Sequence, residues 1–553
     1  MINLYTKPAG LLLLLTVLAG ICCPAEGQIK NVTLGWQGQC KLGYWTPAQF
    51  EYEGELPADF AVEFTLPDTD GVPVVFVDRS PRVEMRSGRK WIQTVVKLGR
   101  SRGQVLVRLL SEKNEGMGKE IASSQSRLEA VCTPVDSLVE MFVSVGRSIE
   151  MNSGVAIGGN VDYASPVAVV MENADFLPET SIAYESINGL VLEISGLFEK
   201  PLPKGVQVAL RDWVFKGGRL AITGGENLAG FFAAHPVLAS IQSVKFSAAK
   251  PLDSTDTLER VLKADSRIPD DRGRLVVAVV DEFEGDVLLE EDSRPIVVRK
   301  NVAFGVVVLV TVNLADDPLA SWSDRKKLTG QVVSILVDSG NDRNRSELRG
   351  GRAGYKDLSG QLRTALDHFS GVSAVNFTVV AAIAILFICL IGPADYLFLK
   401  KIVKRMEWTW VSFLALVLLA CGSIYLIHKS TKPDSLACRQ VEIVDIDVAT
   451  NRARGTVWAH LYSPASQKYD IDWVTGETMQ RDQRSGSWFG FPGTALGGMD
   501  NQSTNTSQSS RYSIDLESRA VQAMPVNVAA TKGLQLDWSG KPVSEFKQEL
   551  KAN

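Results

Sequence analysis

Two long apolar runs in the second half of the chain constrain its fold more than any other feature of the sequence. The first covers 376–399 and contains one charged residue, Asp395, whereas the second covers 408–427 and contains none. At about 1.5 Å per residue, a helix of either length crosses a hydrocarbon core of about 30 Å. The sequence therefore predicts two transmembrane helices, at 375–399 and 408–428, with the lipid bilayer as a partner.

The short segment between these runs, 400–407, indicates the orientation of the helices. It carries four basic residues, Lys400, Lys401, Lys404 and Arg405. Lysines and arginines clustered in a short loop stay on the cytoplasmic side of a membrane. We therefore expect a helical hairpin with a cytoplasmic loop, and with the chain before and after it outside the cytoplasm.

The N-terminus supports the same orientation. An apolar run at 9–21 follows Lys7 and precedes the small residues that lead to Gly27. This order is typical of a signal peptide, which we place at 1–27, and a signal peptide exports the region that follows it. Both globular regions of the chain are then expected on the extracytoplasmic side.

Asp395 allows two interpretations. A carboxylate within a membrane span can belong to a proton relay or an ion site. It can also pair with Lys400 or Lys401 where the helix reaches the membrane surface. Because the second apolar run contains no charged partner for this carboxylate, the sequence favours the pairing.

The length, charge and motifs of the chain exclude several classes of function. Its 553 residues suffice for several domains, and its net charge of −5 argues against a nucleic-acid-binding protein, which would carry a basic face. The sequence has no cysteine or histidine spacing typical of a metal site and no glycine-rich nucleotide-binding motif. We therefore expect neither a metal nor a cofactor.

Residues 28–135 have the pattern of a β-sandwich. Short alternating runs such as 60–66 are separated by Gly, Pro and Asp turns. The stretch 67–71 is rich in aspartate but lacks the further ligands of a calcium loop, so a turn between strands is favoured. Cys40 and Cys132 bracket the domain and either form a disulfide in an oxidising compartment or remain two buried thiols.

Residues 136–345 have the pattern of an α/β domain. The apolar run at 189–194 predicts a buried strand, and apolar residues within 206–215 recur at helical spacing before Gly217. Another strand follows at 219–223. This strand–helix–strand order predicts a parallel sheet covered by helices.

Several motifs carry a resemblance to known proteins. The segment WVFKGGRLAITGG at 213–225 resembles the helix–strand step of class I glutamine-amidotransferase-like domains, and 304–322 is similar to the last strand and closing helix of membrane-bound members of that group. The motifs GYWTP at 43–47, IGPADYLFLK at 391–400 and GFPGTALGGM at 490–499 resemble an uncharacterised, planctomycete-type family of bacterial membrane proteins. The resemblance implies a flavodoxin-like α/β domain, a bacterial inner membrane and periplasmic globular regions, but no established activity.

The chain differs from active amidotransferases at the position of the nucleophilic cysteine. Such an enzyme needs a cysteine on the tight turn after a central strand. Here that turn contains Gly224, Gly225 and Glu226, and no cysteine occurs between Cys132 and Cys389. We therefore predict no catalytic residue.

The same turn lies where ligands bind in folds of this type, at the carboxyl edge of the sheet. Gly224, Gly225 and Glu226 are therefore either a ligand site or only a connection from strand to helix. His235 stands beside Pro236 and is the only histidine in 133–367. We interpret it as a surface or capping residue rather than as a base.

The remaining segments are predicted as a linker at 346–374 and a C-terminal β domain at 429–553. Runs such as 441–448 alternate between apolar and polar residues, as strands do. The stretch 485–510 is rich in Gly, Ser, Asn and Gln, which is typical of a loop.

These features together predict a multidomain, non-catalytic, membrane-anchored protein that binds or scaffolds other components outside the cytoplasm. Its partners would be the bilayer and other membrane or envelope proteins. Two alternatives stay open: an accessory subunit of a membrane exporter, and an enzyme of unfamiliar hydrolytic chemistry on the amidotransferase-like fold that uses Glu226 and His235.

Overall fold

A computed structural model of the chain describes 27–111, 118–158, 165–195, 201–337, 362, 365–366, 369, 377–404, 406–431, 435–473, 479–490 and 511–542. Residues 1–26 of the predicted signal peptide, Arg405 of the basic loop and most of the predicted linker lie outside this part of the chain. Within it the protein is mostly β, with several sheets and interspersed helices.

The N-terminal region consists of short strands, as the alternating pattern predicts. In chain order its elements are β1 (Gln28–Leu34), β2 (Gln39–Lys41), β3 (Trp45–Glu53), β4 (Phe60–Pro67), β5 (Pro73–Asp78), β6 (Arg82–Arg86), β7 (Arg89–Lys97), β8 (Gln104–Ser111), β9 (Lys119–Arg127), α1 (Leu128–Val131) and β10 (Thr133–Val135). Alternation puts one face of each strand into a common core. In β4, for example, Val62, Phe64 and Leu66 are buried.

The second region alternates strands and helices. Its elements are β11 (Met141–Val145), α2 (Met151–Gly158), β12 (Val167–Met171), β13 (Gly189–Glu193), α3 (Lys204–Lys216), β14 (Arg219–Thr223), α4 (Leu228–Ala234), α5 (Pro236–Gln242), β15 (Lys245–Phe246), β16 (Lys250–Pro251), α6 (Asp256–Val261), β17 (Val276–Val277), β18 (Val280–Glu282), β19 (Asp286–Glu291), β20 (Arg294–Val302), β21 (Gly305–Val310) and α7 (Arg325–Leu336).

Seven of these strands form one sheet in the order β12-β11-β13-β14-β21-β20-β19. The first five are parallel, β20 runs antiparallel to β21, and β19 runs antiparallel to β20. Every residue of β11 and β13 is buried, which fits strands covered on both faces. Helix α3 buries one face, including Leu210 and Trp213, and ends where Gly217 takes a φ of +121°.

The apolar runs form helices. They are α8 (Phe377–Cys389), a π-helical turn at Leu390–Ala394, α9 (Asp395–Phe398), a second π-helical turn at Leu399–Val403, and α10 (Thr409–Thr431). Pro393 lies in the first π-helical turn and accounts for the break in the regular helix. Within the described residues, one helix, Ala381–Lys401, is long and apolar enough to cross a membrane, and α10 contains a shorter apolar stretch, Thr409–Ser423.

The C-terminal region, here called the tail, is formed by strands. They are β22 (Ala437–Asp447), β23 (Arg452–Ser463), β24 (Gln467–Ile471), β25 (Met479–Phe489), β26 (Tyr512–Asp515), β27 (Val521–Val526) and β28 (Ala530–Pro542). Four of them form an antiparallel sheet in the order β22-β23-β28-β25.

The other three tail strands belong to the N-terminal sandwich. One of its sheets is β1-β3-β7-β6, and the other is β24-β27-β26-β5-β4-β8-β9. Strand β26 pairs in parallel with β5, with Tyr512 opposite Val74 and Asp515 opposite Val77. This differs from the predicted division into separate domains at 28–135 and 429–553, because alternation in a sequence identifies strands but not the strands with which they pair.

Candidate functional site

The carboxyl edge of the parallel strands is the first candidate, because ligands of open α/β folds bind there. Strands β11, β13, β14 and β21 all end at this edge. The segments that follow them bring together the predicted turn and several polar side chains that the sequence did not single out, namely Arg147, Glu193, Ser195, Asn313 and Asp316.

The predicted turn is a tight connection from β14 to a helical segment. Gly224 is buried, and a Cβ atom there would lie 2.1 Å from Cγ1 of Ile194. Gly225 has a φ of +54°, a conformation that favours glycine, and starts a short 3-10 turn. Glu226 is exposed. The geometry thus leaves no room for a cysteine at Gly224, the position after the strand.

Glu193, the last residue of β13, is fully buried at this edge. Its carboxylate accepts hydrogen bonds from the backbone N–H groups of Arg147 (2.9 Å) and Ser195 (3.0 Å). Gly146, with a φ of +114°, lies against it, and a Cβ atom there would be 2.2 Å from the carbonyl oxygen of Glu193. The carboxylate is therefore built into the turn and does not face an open site.

Arg147 contacts the other polar side chains at this edge of the sheet. Its guanidinium contacts Asp316 at 2.6 Å and donates to Ser195 Oγ at 2.8 Å. The hydrogen bond with Asp316 raises the pKa of Arg147. Asn313 donates to Asp316 in turn and accepts from the backbone N–H of Ala315. The polar groups at this edge thus bind one another.

One sequence signal could have revealed part of this network. Glu193 is a charged residue at the end of an otherwise apolar strand, GLVLE. A carboxylate in that position must be hydrogen-bonded when it is buried. Arg147 and Asn313 carry no comparable signal, because their approach depends on the pairing of strands that are distant in sequence.

His235 is a buried structural residue, so of the two interpretations, a surface or a capping residue, the structure supports the capping one. It lies between α4 and α5. Its Nε2 accepts from the backbone N–H of Leu202 at 2.9 Å, while Nδ1–H donates to the carbonyl oxygen of Phe231 at 2.7 Å. Burial lowers the pKa of His235. Both ring nitrogens are occupied, so the neutral ring is held in one tautomer.

The turn at 67–71 binds a cation of the tail rather than an ion from solution. Asp68 is fully buried and accepts from the backbone N–H groups of Asp70 and Val72, both at 2.9 Å. It also accepts from Tyr512 Oη at 3.0 Å and from Lys532 Nζ at 2.5 Å. Within the described residues, no group of three or more His, Cys, Asp or Glu side chains is arranged to hold a metal.

The two cysteines of the N-terminal region are brought together. Cys40 and Cys132 are both buried, and β2 pairs with β10 beside them. The structure has both as free thiols. A hydrogen bond with the Cys132 thiol, together with burial, raises the pKa of Cys40. Their contact fits either member of the predicted pair of alternatives, a disulfide or two buried thiols.

Asp395 has a partner in the other helix, which corrects the expected pairing with Lys400 or Lys401. Its Oδ2 accepts from Ser412 Oγ of α10 at 3.1 Å. Lys400 instead donates to the hydroxyl of Tyr396, four residues earlier on the same helical face. The carboxylate is turned toward α10, so a polar contact joins the two helices.

Neither a scan against protein-family models nor a search of curated proteins gives a match to this chain.

Proposed function

We propose that this chain is a non-catalytic, membrane-anchored protein that binds or scaffolds partners on the periplasmic side of a bacterial inner membrane. The observation that carries the proposal is the sheet shared by β5 and β26. One of these strands precedes the apolar helices in the chain and the other follows them. The globular regions therefore fold together and not as two independent domains.

This shared sheet supports a helical hairpin. If Ala381–Lys401 crosses the membrane, the chain must cross again before the tail, because β26 lies beside β5. Helix α10, with 23 residues, is the segment available for the return. At about 1.5 Å per residue it is about 35 Å long, enough for a hydrocarbon core of about 30 Å. The basic loop then lies on the side opposite both globular regions.

The carboxyl edge of the α/β domain supports a role without turnover. Gly224 leaves no space for a nucleophilic side chain, and both ring nitrogens of His235 bind backbone groups. A general base must reach the proton that it abstracts. His235 has no free nitrogen for that task, which supports a role without turnover.

Thiol labelling in spheroplasts tests the topology. In a variant without native cysteines, Ser80→Cys and Ser518→Cys should both react with a membrane-impermeant maleimide, since both residues are exposed. Lys404→Cys, in the basic loop, should react only after permeabilisation. Labelling of Ser80→Cys without Ser518→Cys would contradict the hairpin.

A turnover assay tests the absence of catalysis. The full-length protein in detergent is expected to release no ammonia from glutamine and to cleave no activated ester beyond the rate of its Glu226→Gln variant. Turnover that disappears in Glu226→Gln would overturn the non-catalytic role.

A further inference from the structure

A polar cavity of about 440 Å³ is lined by residues of the α/β domain and of the tail, none of which belongs to the turn at Gly224. Its walls come from a 3-10 turn and α3 of the α/β domain, from β25 of the tail, and from the turn between β26 and β27. The volume falls in the range of small-molecule sites, about 300–1,000 Å³. The cavity exists only where the tail and the α/β domain meet.

Hydrogen bonds hold the walls of this cavity in place. Gln483 of β25 donates to Asp212 of α3 at 2.5 Å, and its amide oxygen accepts from Ser181 Oγ at 2.7 Å. Nearby, Arg454 of β23 donates to the carbonyl oxygen of Lys216. The two regions are thus joined around the cavity by hydrogen bonds within the protein.

Three cationic side chains, Lys216, Arg484 and Arg519, line the cavity. Nη1 of Arg519 is buried and has no hydrogen-bond partner among the described residues. A buried donor without a partner is costly, which favours a ligand that supplies an acceptor. Burial also lowers the pKa values of Lys216 and Arg519.

The acidic residues of the lining do not cancel these cations. Glu179 contacts Arg82 at 3.4 Å, and Asp212 contacts Arg211 at 2.8 Å. Glu517 is exposed to solvent. The carboxylates at 179 and 212 therefore already have cations outside the lining. The charge of Asp78, also outside the lining, acts on Arg519 and opposes the effect of burial on its pKa. Arg484 and the Nη1 donor of Arg519 remain available to an anion in the cavity.

We propose that this cavity binds a compact anionic molecule through a phosphate or carboxylate group held by Arg484 and Arg519. Guanidinium groups bind both kinds of oxyanion through paired hydrogen bonds. The ligand would contact the tail and the α/β domain together and would stabilise their junction. This binding depends neither on the membrane orientation nor on the absence of turnover, so its failure would leave the proposed function untouched.

Calorimetric titration of the full-length protein in detergent tests the proposal. Inorganic phosphate and succinate are used as separate probes at constant ionic strength. Saturable binding of either probe is expected, and the one that binds identifies the oxyanion. Arg484→Gln and Arg519→Gln should each weaken it about tenfold, as expected for the loss of a charge-assisted contact. The matched control is Arg511→Gln, because Arg511 precedes β26, is exposed and does not line the cavity.

Thermal unfolding provides a second readout. The bound probe should raise the Tm of the parent protein and of Arg511→Gln, because it binds only the folded state. It should raise the Tm of Arg484→Gln much less. If Arg519→Gln does not fold, Arg484→Gln carries the test. No saturable binding of either anion, or equal binding by the parent and both cavity variants, would overturn the proposal.

Discussion

The tail makes two junctions with the rest of the molecule, and they differ in how completely their charges are paired. Against the sandwich, the fully buried carboxylate of Asp68 is hydrogen-bonded to Tyr512, Lys532 and backbone N–H groups. Against the α/β domain, Arg484 and Arg519 face a cavity of about 440 Å³. At the first junction the buried charges are paired within the protein and stabilise the fold. At the second junction the cationic side chains remain available to bind an anionic ligand.

The difference follows from the cost of burying charge. An isolated buried ion is strongly unfavourable, so a junction that excludes water must pair its charges internally. Burial opposes the charged form of Lys532, yet the charges of Asp68 and Asp70 raise its pKa. A junction that keeps a cavity can leave a guanidinium donor without a partner in the described part of the protein, as at Nη1 of Arg519.

The largest expected effect comes from breaking the junction with the sandwich. Lys532→Met keeps the aliphatic stem but leaves Asp68 buried without its cation, and such a loss costs about 3–5 kcal/mol. Chemical denaturation of the full-length protein in detergent should show this decrease in the free energy of unfolding. Lys541→Met is the control, because Lys541 lies exposed on the same strand. A similarly small decrease in the free energy of unfolding of both variants would contradict the pairing of Asp68 with Lys532 at this junction.

A smaller effect is expected at the carboxyl edge. Glu193→Gln replaces a fully buried carboxylate that accepts from two backbone N–H groups, and the expected loss of stability is about 1–3 kcal/mol. Glu226→Gln, which changes an exposed residue after the neighbouring strand β14, should change stability by less than about 0.5 kcal/mol. The same denaturation measurement compares them. Equal changes in the free energy of unfolding for the two variants would contradict a hydrogen-bonded network around the carboxylate of Glu193.

The smallest effect concerns the carboxylate of Glu185 and depends on pH. Burial and, to a smaller extent, the charge of Asp537 raise the pKa of Glu185 to about 7, although the charges of Lys97 and Lys216 act to lower it. The backbone of Trp45 also donates to this carboxylate, which lowers its pKa. The folded protein therefore holds a proton here that the unfolded chain, with an ordinary pKa of about 4.3, releases earlier.

The sign of the pH effect follows from this difference. The stability associated with the protonated Glu185 is fully present below pH of about 4 and is lost as the pH rises through about 7. Glu185→Gln has no such proton to release, so its Tm relative to the parent should rise between pH 6 and pH 8, by the equivalent of about 1–2 kcal/mol. Glu129→Gln, at an exposed position, should show no such trend. A Tm difference for Glu185→Gln that is constant with pH would contradict the assignment.

Local patterns in the sequence predicted the local elements well. The helical spacing in 206–215 corresponds to α3, Lys204–Lys216, and the Gly217 that ends it has the expected positive φ. The apolar runs correspond to helices from Phe377 and from Thr409. These features depend on neighbours within a few residues, and such information is present in any short segment.

Long-range pairing could not be predicted in this way. Tyr512 of β26 lies opposite Val74 of β5, although the two are separated by the whole α/β domain and the apolar helices. The partners of Asp68 and the approach of Arg147 to Glu193 depend on such pairings. The candidate turn at Gly224 was correctly located at the carboxyl edge, whereas the cationic cavity, which four separate segments form, had no signature in the sequence.

The pairing of β5 with β26 in the membrane-anchored protein is the central claim, and cross-linking tests it most directly. In a variant without native cysteines, Val75→Cys and Ser513→Cys lie opposite each other, and a protease site is introduced in 346–374. After oxidation in native membranes and cleavage, we predict that the two fragments stay joined under non-reducing conditions, and that they separate when Ser513→Cys is replaced by Ser518→Cys. Fragments that separate in both variants, or stay joined equally in both, would contradict the shared sheet.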